Sequence, residues 1–177
     1  MTMARETFLV DVMLIKLGRW LRVLGYDCRI PDPEDRIEVR DRNLADAAIK
    51  EGRILLTMDR ELSRMAGSSG AKAVLIPSDL SHIKKQLKFL FKNSILDPGI
   101  LCSISFLETN TRCTTCGAEL EVVNKEDFEK VRKMPGWIRG RHSQVWVCKS
   151  CKQIYWKGSH WRKIIKTLEE LKEEFLT

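Results

Sequence analysis

The chain has 177 residues, 44% of them hydrophobic and 31% charged, with a formal net charge of +7. This composition supports a real core and excludes a disordered chain, and the length holds one ordinary domain plus a small one. No apolar run approaches the length of a membrane span and the first residues show no secretory pattern, so a cytoplasmic protein without a membrane partner is expected.

The first apolar run, Phe8-Leu9-Val10, stops at Asp11 and is followed by a helical pattern. Over residues 12–24, Met13, Leu14, Leu17, Trp20, Leu21 and Leu24 recur at helical spacing while Lys16, Arg19 and Arg22 fall largely off that stripe, which predicts an amphipathic helix closed by Gly25. Residues 26–30 read as a short second strand and residues 31–35 as a polar turn. A helix over 41–51 has Asp41 as its N-cap and Leu44, Ala48 and Ile49 as its buried side. Asp46 lies inside it, where Asp has poor propensity, so it either faces water or is kept for a purpose.

The next stretch, Gly52 followed by Arg53-Ile54-Leu55-Leu56-Thr57-Met58-Asp59, organises the domain. A short apolar run after a Gly suits a strand of a parallel sheet covered on both faces. Asp59 then either caps the helix over 60–66 or serves as a ligand. Because Asp11 ends a strand of the same kind, a parallel sheet brings both acids to one edge, and ligands of open α/β sheets bind just beyond that edge. A turn at 67–70, a strand over 73–76 ended by Pro77, and a helix capped by Ser78 with Leu80, Ile83, Leu87, Leu90 and Phe91 as its stripe follow. A last strand is expected over 100–107. Strand and helix alternating in this way predict a three-layer α/β domain with a mostly parallel sheet, over residues 1–108.

The second unit, residues 109–177, opens with Cys113 and Cys116 and is matched by Cys148 and Cys151. Two Cys-x-x-Cys pairs, each on a hairpin turn, can supply a closed tetrahedron of thiolates for a structural Zn²⁺, and a cytosolic setting argues against disulfides. The 31 residues between the pairs call for an inserted segment, a short helix around 126–133 and a Pro135-Gly136 turn. Residues 144–147 and 153–156 are the expected ribbon strands, and Cys28 and Cys102 are expected to be buried free thiols. A closing helix with Trp161, Ile164, Ile165, Leu168, Leu171 and Phe175 on one face is expected to dock on the protein.

Charge is unevenly placed, and residues 130–166 contain eleven Lys and Arg and no acid. Trp137, Trp146, Tyr155, Trp156 and Trp161 lie among them, a combination suited to unpaired bases and a phosphate backbone. Arg139, Arg141, Trp156, Lys157, His160 and Arg162 are the candidate nucleic-acid contacts here, alongside Lys16, Arg19 and Arg60 near the acids, for each of which solvation on a helix surface is the competing reading. The competing reading is that the rings fill a small ribbon core and the charge serves solubility.

Asp46-Ala47-Ala48-Ile49 followed by Leu55-Leu56-Thr57-Met58-Asp59-Arg60-Glu61-Leu62 resembles the second half of the nuclease site of PIN-domain ribonucleases, and Asp11 resembles its opening acid. Together with Leu17-Gly18-Arg19-Trp20-Leu21-Arg22, the two cysteine pairs and Tyr155-Trp156-Lys157-Gly158-Ser159-His160-Trp161, nearly the whole chain resembles the Mut-seven C-terminal RNase family, a PIN-like domain fused to a zinc ribbon. The resemblance implies hydrolysis of RNA by clustered acids holding Mg²⁺ or Mn²⁺. Asp11 and Asp59 carry over directly and Asp46 from the wider PIN pattern. Many PIN domains place another acid on a helix between the first strand and the position of Asp46; here Glu34, Glu38 and Asp41 compete for it, and Glu61 is a further candidate. The alternative reading is a non-catalytic RNA-binding protein with a degenerate acidic site; a toxin-like nuclease is a third, less suited to a fused ribbon.

Overall fold

The computed structural model describes residues 5–31, 41–102 and 110–176. Among the described residues four strands, β1 (Phe8–Val10), β2 (Cys28–Arg29), β3 (Ile54–Thr57) and β4 (Ala73–Leu75), form a parallel sheet in the order β2-β1-β3-β4. Phe8 lies opposite Ile54 and Val10 opposite Leu56, so the chain leaves both central strands at the same edge.

Alternation along these strands divides the core between two faces. Phe8, Val10 and Leu56 face one way, against Leu17 and Leu21 of α1 (Ile15–Val23) and Leu87 and Leu90 of α4 (Ile83–Lys92). Leu9 and Leu55 face the other way, against Leu44 and Ala48 of α2 (Asp41–Glu51) and Leu62 and Ala66 of α3 (Arg60–Ser68). Burial on both faces explains why the strands read as continuous apolar runs.

The second unit is a three-stranded antiparallel sheet, order β5-β6-β7, of β5 (Leu120–Asn124), β6 (Gln144–Cys148) and β7 (Ile154–Tyr155). Its own core is Phe128, Val131, Met134, Ile138, Val145 and Ile154. The final helix, α6 (Ser159–Leu176), leaves this sheet and packs Ile164, Leu168 and Leu171 into the first core, beside α4. Lys84 reaches Glu170 at 2.9 Å and Glu174 at 3.0 Å, Lys88 also pairs with Glu174, and Phe91 meets Phe175 edge-on at 5.7 Å.

Several expectations are corrected. Residues Pro98–Cys102 form a 3-10 turn rather than the start of a strand, because Asp97 Oδ1 accepts the Gly99 amide at 2.8 Å and turns the chain; residues 103–107 lie outside the described residues. Cys102 is exposed, whereas Cys28 is buried and its thiol is pushed up to about 12 by burial. Helix α1 is preceded by a 3-10 turn over Val12–Leu14, which leaves Met13 exposed off the stripe. Ile49 is exposed, and Asp41 is itself helical, the described part of α2 beginning there. Helix α4 starts five residues after Ser78, with His82 at its N-cap position and no side-chain cap. In the ribbon insertion, residues Lys125–Lys130 are 3-10, and Pro135 precedes a short helix α5 (Gly136–Arg141) instead of forming a turn with Gly136. Of the turn expected over 31–35, residues 32–35 lie outside the described residues.

Candidate functional site

The strand order reverses at β1: from it the chain goes to β2 on one side and later to β3 on the other. In open parallel sheets such a switch point opens a crevice beyond the carboxyl ends of the strands. Asp11 and Thr57 stand there, Asp11 directly after β1 and Thr57 as the last residue of β3.

Asp11 is 3% exposed and its carboxylate is fully engaged. Oδ1 accepts the amides of Met13 at 2.8 Å and Leu14 at 3.1 Å, capping the turn that leads into α1. Oδ2 accepts the Thr57 hydroxyl and the Met58 amide, the latter at 3.3 Å. Burial raises the Asp11 pKa above its ordinary value even though all four hydrogen bonds pull it down.

Thr57 extends this network to Asp59, whose amide donates to Thr57 Oγ1 at 2.9 Å. Asp59 Oδ1 accepts the amides of Glu61 at 2.7 Å and Leu62 at 3.0 Å, so Asp59 is the N-cap of α3. The structure thus brings Asp11 and Asp59 to one edge, as the paired runs predict, through a threonine that sequence reasoning passed over. The signal was there: a polar residue inside an otherwise apolar strand end.

Asp46 is exposed on α2, five residues into the helix. Asp11, Asp46 and Asp59 do not gather as three ligands around one point among the described residues. Glu61 is exposed and its carboxylate is held below the ordinary range by Arg64, 2.6 Å away. Glu34 and Glu38 lie outside the described residues. Lys16, Arg19 and Arg60 are exposed, Arg60 immediately after the Asp59 cap.

At the other end of the molecule the four cysteines converge. The sulfurs of Cys113, Cys116, Cys148 and Cys151 all lie within 4.8 Å of one another, with Cys113 to Cys151 at 3.5 Å and Cys116 to Cys148 at 3.4 Å, and none forms a disulfide. A tetrahedral Zn²⁺ with Zn–S bonds near 2.3 Å requires sulfurs about 3.8 Å apart, so the set fits a structural zinc. Backbone amides turn onto two sulfurs, Cys116 N onto Cys113 at 3.5 Å and Cys151 N onto Cys148 at 3.4 Å. Burial works against a Cys113 thiolate, but hydrogen bonds from Tyr155 and from backbone amides bring its pKa down to about 6. Burial and the neighbouring sulfurs push Cys151 up to about 12, because four close sulfurs cannot all carry charge unless a cation lies among them.

Arg22 joins the two units. It is 5% exposed, and its Nε donates to Cys28 O at 2.8 Å while NH1 donates to Thr114 O at 3.0 Å and Thr115 O at 3.1 Å, inside the first cysteine turn. Gly117, at φ +81°, lies so close that a Cβ there would meet the guanidinium at 3.2 Å. Burial lowers the Arg22 pKa, while Cys28, Cys113 and Cys116 oppose that shift. Off the apolar stripe of α1, Arg22 carried no sequence signal for this role.

The run without acids is partly neutralised by residues just before it. Arg139 pairs with Glu129 at 2.6 Å, Lys130 with Asp127 at 2.6 Å and Lys149 with Glu119 at 2.7 Å. Arg141, Lys157, His160 and Arg162 are exposed, and Lys157 lies over the Trp146 ring, 5.6 Å from its centre. Trp156 is half-buried with Trp137 edge-on to it at 5.1 Å.

A parallel α/β sheet with acids at its switch point, joined to a four-cysteine ribbon, defines the class of the molecule. The Mut7-C RNAse domain matches residues 6–168, and the chain belongs to that ribonuclease family. No curated protein and no solved structure matches the chain. No helix among the described residues is long and apolar enough to cross a membrane.

Proposed function

We propose that the chain is a metal-dependent ribonuclease in which residues 1–108 hydrolyse RNA phosphodiester bonds and residues 109–177 hold the strand. The observation that carries this is the buried Asp11 carboxylate at the switch point, linked through Thr57 to Asp59. A carboxylate withdrawn from water is costly, and such groups concentrate at functional sites. Asp11, Asp46 and Asp59 offer carboxylate oxygens and, among the described residues, none of them groups with thiolate or imidazole ligands, a donor set suited to Mg²⁺ or Mn²⁺. When bound, such a cation lowers the pKa of an attacking water and offsets charge on the leaving oxygen.

In this reading Asp11 contributes charge from a position fixed by four donors. Asp59 holds α3 with Oδ1 and has Oδ2 for the cation, and Asp46 offers a further carboxylate from α2. Glu61 takes part only by exchanging Arg64 for another partner. Lys16, Arg19 and Arg60 contact flanking phosphates. Zinc at the four cysteines is structural, and reduced thiols suit a cytoplasmic setting.

The deciding experiment is cleavage of single-stranded RNA with Mg²⁺ or Mn²⁺ by wild type, Asp11→Asn and Asp59→Asn. Asp59→Asn is the cleaner variant, since Asn is as good an N-cap as Asp and only the charge is lost. Both variants are expected to lose cleavage, and wild-type rates in both would place any activity elsewhere. A non-catalytic RNA-binding reading is favoured by one observation, that Asp11 and Asp59 both serve as caps and no three acids gather among the described residues. It requires that no divalent metal support cleavage by the wild type.

A further inference from the structure

Trp146 and Tyr155 are directly paired across β6 and β7, so their side chains share one face of the ribbon. Val145, Val147 and Ile154 supply the packed core on the opposite side. The face carrying the two rings is only partly filled, although Trp146 is itself buried with Lys157 over its ring. This face lines a cavity of about 300 Å³ closed by Trp156 and by Trp161 and His160 of α6, with Arg112 in its wall. At the small end of the range for ligand pockets, this volume suits a single planar group.

The rings are held from behind. The Tyr155 hydroxyl lies 3.1 Å from Cys113 Sγ and accepts the Thr114 amide at 3.1 Å, Trp137 abuts Trp156 edge-on, and Trp161 packs on the first core. Fixed aromatic walls bind a flat partner without first having to be ordered. Lys157 lies over the Trp146 ring and Arg162 follows Trp161 in the chain, within a segment of eleven cations of which three, Lys130, Arg139 and Lys149, pair with acids outside it, so the complementary partner is anionic along its length and aromatic at intervals. That describes single-stranded nucleic acid better than an apolar peptide.

We propose that this cavity takes one unpaired nucleobase of an RNA strand, a base subsite separate from the acids that cut it. The proposal rests on the RNA reading given above.

Binding of a dye-labelled ten-residue uridine strand is compared with that of an abasic ribose-phosphate strand of equal length, by fluorescence anisotropy on the full chain without added divalent metal. Wild type is expected to prefer the base-bearing strand by roughly 5- to 150-fold, the range for one base stacked on aromatic side chains. In Trp161→Ala and Trp156→Leu this preference should collapse towards one. Arg141→Ala should weaken both strands alike and leave the preference intact. Equal affinity of wild type for the two strands overturns the subsite whether or not the variants fold, as does a preference that survives both folded tryptophan variants; cleavage by the wild type would then still support the ribonuclease reading. Uridine monophosphate displacing the strand at equal concentration would make this a mononucleotide site and overturn the assignment to a strand. A chain that neither binds nor cleaves RNA overturns both readings.

Discussion

Thr57 donates its hydroxyl to Oδ2 of Asp11 across the β1–β3 junction, and Thr57 Oγ1 itself accepts the Asp59 amide at 2.9 Å. One buried side chain therefore sets the position of both acids at the strand ends. Thr57→Val keeps the shape but leaves Asp11 short of a donor and the Asp59 amide short of an acceptor, at a cost of about 1–3 kcal/mol. Chemical denaturation is expected to show that loss together with weaker metal-dependent cleavage, whereas Thr57→Ser should restore both. A Val variant with wild-type stability and activity would show that the hydroxyl does not organise the site.

Asp11 also predicts a pH dependence. Its folded pKa is raised above 3.8 by burial, so the folded state binds its proton more tightly than the unfolded chain. The contribution to stability is present below the unfolded value and is lost as pH rises through the folded value. Without added divalent metal, wild type should lose stability relative to Asp11→Asn as pH climbs from about 4 through that window. If Asp11 serves the site as proposed, cleavage should move the other way, falling as pH drops through the same window, because only the ionised form brings negative charge to it. Thermal melts of the two proteins across the acid range test the first effect, and a difference that stays flat would contradict it.

Arg22 is expected to couple the α/β unit to the ribbon. Arg22→Ala removes three hydrogen bonds from a charged donor, and losing even one such bond costs about 1.5–3 kcal/mol. Because the guanidinium also lies beside Cys113 and Cys116, zinc transfer to a colorimetric chelator should be faster in the variant. Unchanged transfer with reduced stability would make Arg22 a tie between units and nothing more.

One zinc per chain is expected, and Cys148→Ser should release it and unfold the ribbon. Binding of structural zinc supplies an apparent 10–16 kcal/mol in small zinc peptides, far more than a six-residue apolar core such as Phe128 to Ile154 can replace. Elemental analysis of fresh protein measures the stoichiometry. Metal content that is the same in the serine variant would remove the cysteines as its ligands.

The ion pairs sort the cations of the ribbon. Replacing Arg141 and Arg162 together by Ala should reduce the log–log salt slope of RNA binding by about 1.4, at roughly 0.7 per phosphate on a single strand. Arg139→Ala should change the slope little, because Glu129 already holds that guanidinium at 2.6 Å. The assay is affinity for one RNA at several salt concentrations, and an effect of the single variant as large per residue as that of the double variant would mean that the ion pair does not hold in solution.

Much of this protein could be read from local pattern alone. Phe8-Leu9-Val10 and Ile54-Leu55-Leu56 are short apolar runs ending near acids, and burial on both faces is what makes such runs continuous, so the parallel pair and the shared edge of Asp11 and Asp59 followed from sequence. Cys113, Cys116, Cys148 and Cys151 were legible for a similar reason, since the spacing within each pair is itself the geometry of a metal turn. Contacts between residues far apart in the chain left no periodic trace. Thr57 reaches Asp11 across 46 positions, Arg22 reaches Thr114 across 92, and Glu129 neutralises an Arg139 that looked unopposed. The same limit explains the misread segment after Asp97, where a side chain capping the Gly99 amide turned an apolar run into a 3-10 turn. Composition and spacing determined the elements and the metal turns; the tertiary fold alone decided which polar groups leave water together, because that depends on which distant residues share a low-dielectric space.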